Sequence, residues 1–118
     1  MEHLKYKAGQ KWQLKTGAAD EVDYVLVVAV DAHPSGEVLN IVIARTHALD
    51  GMPYLLAPIS LQSLEPALDK LLESDVDVTE HLLSYEEWKI KAQKGRAGFF
   101  KVGVAEVVKI ILQVKDGA

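Results

Sequence analysis

The stretch from Val22 to Arg45 constrains this chain most. Val22 to Asp31 is rich in Val and almost continuously apolar, the pattern of a central strand covered on both faces. Asp31-Ala32-His33-Pro34-Ser35-Gly36 is a turn signal, because Pro fixes φ and Gly is free to take φ > 0. Glu37 to Arg45 follows as a second β-rich run containing Val38, Ile41, Val42 and Ile43. Two such runs around one turn predict an antiparallel hairpin. The first half of the chain therefore builds a sheet.

Neighbouring segments extend it. Trp12 and Leu14 alternate with Lys11, Gln13 and Lys15, the period of a half-buried strand. Gly17-Ala18-Ala19-Asp20 reads as a loop and Asp50-Gly51-Met52-Pro53 as a second turn. Tyr54 to Ile59 is a shorter strand bracketed by Pro53 and Pro58, which places it at a sheet edge because Pro cannot donate to the ladder.

Near residue 60 the apolar period changes. Leu64, Ala67, Leu68, Leu71 and Leu72 fall at helical spacing, with Ser63 placed to cap and Pro66 in the first turn. Asp75-Val76-Asp77-Val78 interrupts the pattern. Ser84-x-x-Glu87 has capping-box spacing, with Tyr85, Trp88 and Ala92 on one face behind it and Gly95 as the stop. Alternatively that helix starts from Thr79 and includes Leu82 and Leu83. The last segment is β-branched at Val104, Val107, Val108, Ile110, Ile111 and Val114, which favours a strand by propensity. Glu106, Lys109 and Gln113, however, fall opposite Val104, Val107, Val108 and Ile111, and this periodicity predicts a helix.

These elements predict an α+β fold in a single domain, 1–118. A four-stranded, mainly antiparallel sheet from the N-terminal half, with some curling toward a half-barrel, carries about three helices from the C-terminal half on one face. The expected core is Trp12, Val25, Val27, Val30, Ile41, Ile43, Leu68, Leu71, Trp88, Phe100, Val104, Val108 and Ile111.

Several function classes fall away. The 118 residues include no Cys, which excludes disulfides, thiolate metal sites and cysteine nucleophiles. A net charge of -4 argues against nucleic acid as the partner. The first residues, Met1 to Lys7, are charged and lack the apolar core of a secretory signal. The longest apolar run, Tyr24 to Val30, is far short of the roughly 20 residues that span a bilayer. A cytoplasmic protein without a membrane partner is the expectation.

Candidate chemistry is sparse. His3, His33, His47 and His81 show no metal-ligand spacing, and neither a metal nor a cofactor is expected. His47 with Asp50 could form half of a metal or acid–base site, imidazole titrating near neutrality, and is the candidate for a scattered hydrolase. There is no Gly-x-Ser-x-Gly elbow, no Walker loop and no dinucleotide fingerprint, so no catalytic residue is assigned. Asp75, Asp77 and Glu80 lack the ligand ladder of a calcium loop.

The glycine pattern of interest is Lys94-Gly95-Arg96-Ala97-Gly98, flanked by Lys89, Lys91 and Lys101 and ending in Phe99-Phe100. It offers an anion-binding loop in which Lys94, Gly95, Arg96 and Gly98 supply charge, free amides and a forked donor. Its Gly-x-x-Gly core is similar to that of the KH single-strand RNA module, but residues 99–103 intervene before the next helix. The competing view is structural: Gly95 ends a helix, Gly98 turns the chain, and the two Phe are core. Charge is also segregated. Residues 65–87 carry eight acids against Lys70 alone, and residues 88–101 carry five bases and no acid. Such blocks suit a partner protein or self-association, or are simply two solvated faces.

Gly9-Gln10-x-Trp12-x-x-Lys15-Thr16, Glu87-Trp88-Lys89, and Gly95-x-Ala97-Gly98-x-Phe100 with Val104-Ala105-Glu106-Val107-Val108 resemble a group of small bacterial proteins of unassigned function. The resemblance spans nearly the whole chain. It implies a bacterial, free-standing, single-domain protein with its last helix packed on the sheet, and it lends no activity or site residue. The functional expectation is a non-catalytic binding protein, an inhibitor- or immunity-like partner of another protein. The alternatives are a binder of small anionic or nucleotide-phosphate ligands through residues 94–98, and the scattered hydrolase.

Overall fold

In a computed structural model, which describes residues 6–18, 21–33, 36–45, 51–95 and 97–117, the central hairpin is long and regular. Strand β2 (Tyr24–His33) pairs antiparallel with β3 (Gly36–Ala44), from Tyr24↔Ala44 to His33↔Gly36. Strands β1 (Lys11–Leu14), β4 (Tyr54–Ser60) and β5 (Leu68–Glu73) complete a five-stranded antiparallel sheet in the order β4-β3-β2-β1-β5. As the Pro residues imply, β4 lies at an edge. Pro34, Ser35, Ala19, Asp20 and Asp50, part of the expected turns, lie outside the described residues.

The fifth strand corrects the expected helix over Leu64 to Leu72. A helical turn does form there, but it starts earlier: α1 (Leu61–Leu64) is capped by Ser60, not Ser63, and the Ser60 hydroxyl accepts from the Ser63 N–H at 3.2 Å. Starting from that cap, Pro66 falls beyond the first turn, where its missing N–H ends an α-helix. The chain tightens into a 3₁₀ turn, Glu65–Ala67, and then extends. The Lys15 N–H donates to Ala67 at 2.8 Å, Trp12 pairs with Leu71, and Lys11 Nζ meets Glu73 at 3.0 Å. Pairing with β1 thus outweighs the helical spacing. In consequence Leu71, expected in the core, is 42% exposed.

Alternation along the strands sends residues to two faces. Val25, Val27, Leu39, Ile41, Ile43 and Ile59 pack with Val104, Val107 and Val108 of α3 (Val104–Gly117). The final segment is therefore a helix, with Glu106, Lys109 and Gln113 on its exposed side. The opposite face carries Leu26, Val28 and Val42, covered by Val76, Val78, and Leu82 and Tyr85 of α2 (Leu82–Gln93). Helices lie on both faces and not on one, because β2 and β3 are apolar on both. A 3₁₀ turn at Thr79–His81 leads into α2, so Ser84 sits inside the helix and the expected capping box is not formed. Asp77 instead accepts from the Thr79 N–H and hydroxyl, which hold its carboxyl below the usual range.

The residues of the Gly9-Gln10-x-Trp12 motif have structural work. Gly9 N–H donates to Val27, Gly9 C=O accepts from Val76, and Gln10 C=O accepts from Val27. The Gln10 side-chain oxygen accepts from Trp12 Nε1 at 3.2 Å and from the Lys7 N–H at 3.1 Å. Gly9 holds φ of +93°, with the Val76 carbonyl oxygen 3.1 Å from where a Cβ would stand. Among the described residues, no helix is long and apolar enough to cross a membrane.

Candidate functional site

The register of β2 slips between Val27 and Ala29, leaving Val28 as an extra residue. Such a bulge re-aims every side chain beyond it. Before the bulge, odd-numbered Val25 and Val27 face α3; beyond it, Val30 joins that core and Asp31 turns toward α2.

There Asp31 collects two hydrogen-bond donors and a cation. Tyr85 Oη donates at 2.8 Å, Asn40 Nδ2 at 3.3 Å, and Lys89 Nζ stands at 3.8 Å. Burial raises the Tyr85 phenol first, and its bond to anionic Asp31 adds to this, so its pKa is pushed up to about 12. The arrangement latches α2 to the end of the hairpin.

Beside the latch lies a cleft of about 320 Å³ between α2 and the hairpin. Val38, Trp88 and Ala92 supply apolar wall, and Asp31, His33, Lys89 and Gln93 supply polar groups. Trp88, expected in the core, is only half-buried. Its Nε1 donates to the Gly98 carbonyl at 2.8 Å, tying the following loop to α2. His33 meets Phe99 edge-on at 4.8 Å, and Lys101 Nζ lies 5.4 Å from the Phe99 ring centroid. Phe100 forms a parallel bridge with Ile59, its N–H donating to Pro58 and its carbonyl accepting from Ser60, each at 2.9 Å. The loop therefore runs as an added rung along the edge of β4.

Among the sequence candidates, Gly95 ends α2 with φ of +72°, a conformation that favours glycine. Its N–H donates to Ala92 at 3.0 Å and that of Lys94 to Ile90 and Lys91. Those two amides are thus already bonded within the helix end, contrary to the free amides expected of an anion loop. Lys94 is exposed, Gly98 accepts from Trp88, and Arg96 lies outside the described residues. His3, His47 and Asp50 lie outside them as well. His81 stands 3.4 Å from Glu80. Among the described residues, no group of three or more His, Asp or Glu is placed to hold a metal ion.

Two features had no sequence signal. The bulge occurs within Val-Val-Ala, without the glycine that often marks one. Arg45, at the end of β3, is buried: Nη1 donates to Met52 C=O at 3.1 Å and Nη2 meets Glu21 at 2.9 Å. It ties two loops at the far end of the hairpin. No protein-family model, curated protein or solved structure matches this chain.

Proposed function

We propose that this chain is a non-catalytic binding protein whose partner is an acidic segment of another protein, docked at the cleft beside Trp88. The observation that carries this is the Trp88–Gly98 bond, which with the His33–Phe99 contact gathers aromatic surface and the cations Lys89 and Lys101 at one end of the molecule. A cationic rim over aromatic surface suits carboxylates, since rim charges steer encounter and aromatic side chains anchor. The cleft's carboxylate already accepts from Tyr85 and Asn40, and a phenol titrating near 12 stays protonated at neutral pH. Neither is poised as a general base. A second use, binding of a small anion, rests on Lys89 at a cleft whose volume falls at the lower end of small-molecule sites.

Calorimetric titration with a Glu-rich peptide, a Lys-rich control peptide and a nucleoside triphosphate tests both. Saturable, salt-sensitive binding of the acidic peptide, weakened roughly fivefold by Lys89→Ala or Lys101→Ala, is the expected result. Binding of the nucleotide alone favours the small-anion use. If neither ligand binds, or the Lys-rich peptide binds equally, the assignment is refuted.

A further inference from the structure

We infer that the outward side of α2 is a self-association surface on which a second copy of this chain lays its own α2 antiparallel. Helix α2 carries exposed apolar residues on a second side, away from the one it packs on the sheet. Leu82 and Tyr85 face the sheet. Leu83, Glu87, Ile90 and Lys94, at i, i+4, i+7 and i+11, form a second stripe roughly 140° around the helix. On that stripe Leu83 is 70% and Ile90 53% exposed, although the helix has already spent its other side on the fold.

The stripe also carries a receptacle. A groove of about 370 Å³ opens between Glu87, Ile90, Lys91 and Lys94. Their spacing, i, i+3, i+4 and i+7, is that of the four-residue hole which receives one apolar knob from a facing helix. Ile90 of a second copy is such a knob, and a two-fold axis between Ile90 and Lys91, at the centre of the hole, makes the insertion reciprocal, as an isologous contact requires.

Charge selects the occupant and its direction. Along the outward side of α2 the acids Glu86 and Glu87 precede the bases Lys91 and Lys94. Parallel pairing would set Glu87 against Glu87 and Lys94 against Lys94. Antiparallel pairing about a point between Ile90 and Lys91 sets Glu87 of each copy against Lys94 of the other. Among the described residues neither Glu87 nor Lys94 has an ion-pair partner within the chain. Another open surface, the outer edge of β5, is less suited to self-pairing, because Asp69, Lys70 and Glu73 flank Leu71 and Leu72. About that axis the two copies overlap only over residues 87–94, about 12 Å of helix, with Leu83 at the margin, so the contact is small and the dimer weak and reversible. It uses neither Lys89, Lys101 nor the cleft, so it stands or falls apart from the peptide-binding role.

Sedimentation velocity of the full chain at low salt, from micromolar to millimolar concentration, tests it. The mass should rise toward that of two copies. Glu87→Lys and Lys94→Glu should each weaken association roughly tenfold or more while leaving the circular dichroism unchanged, both residues being exposed. An equimolar mixture of the two variants should associate again, because one reversed contact then answers the other. A single-copy mass at every concentration overturns the inference. So does association that ignores the reversals, or variants that do not recover on mixing.

Discussion

Tyr85→Phe removes one atom and tests whether the Asp31 latch holds α2 on the sheet. The lost bond is 2.8 Å long and its acceptor is a carboxylate whose side chain is only 17% exposed. A hydrogen bond to a charged group contributes about 1.5–3 kcal/mol. Asn40 and Lys89 remain on Asp31, and some water can replace the hydroxyl, so the expected loss is about 1–2 kcal/mol. For a chain of 118 residues that is a fall in Tm of roughly 4–8 °C. Urea unfolding followed by tryptophan fluorescence measures it. A double-mutant cycle with Asp31→Asn should give a coupling of about 1 kcal/mol. The pH dependence has a definite sign. The Tyr85 pKa is raised in the folded protein from 10.0 to about 12, so its contribution is complete below pH 10 and is lost as pH rises toward 12. The difference between the two proteins should therefore shrink across that window. Tyr6, raised by burial and by its bond to Glu65, titrates in both and cancels. Equal stability at pH 7, or no coupling in the cycle, would refute the latch.

Other substitutions probe the frame. Gly9→Ala must hold φ of +93° and place its Cβ against the Val76 carbonyl, and should cost about 2–4 kcal/mol in urea unfolding. Gly95→Ala, with φ of +72° but open space, should cost only about 1–2 kcal/mol. Ser60→Ala loses the cap of α1 and should lower stability by about 1 kcal/mol, measured the same way, with Ser63→Ala costing less. Lys11→Ala breaks an ion pair with the exposed Glu73 carboxylate and should cost under about 1 kcal/mol, an effect that high salt diminishes.

The sequence alone determined the hairpin, the edge position of β4 and the final helix. In each, the informative residues lie within the element: the unbroken Val and Ile of β2 and β3, Pro58 in β4, and the spacing of Glu106, Lys109 and Gln113 in α3. Gly95 as the stop of α2 was equally legible, because a positive φ at a helix end is a local demand. Tertiary structure decided the rest. Leu64 to Leu72 satisfies a helical period, but the cap at Ser60 set where Pro66 fell, and β1 offered the backbone partners that made residues 68–73 a strand. Asp31 has the sequence context of a turn residue, but the bulge aims it at Tyr85, and Trp88 has the spacing of a core residue, but its N–H goes to Gly98. Periodicity reports which side of a segment avoids water. It does not report which distant backbone or side chain will take up that segment's hydrogen bonds, and here those partners fixed both the fifth strand and the cleft.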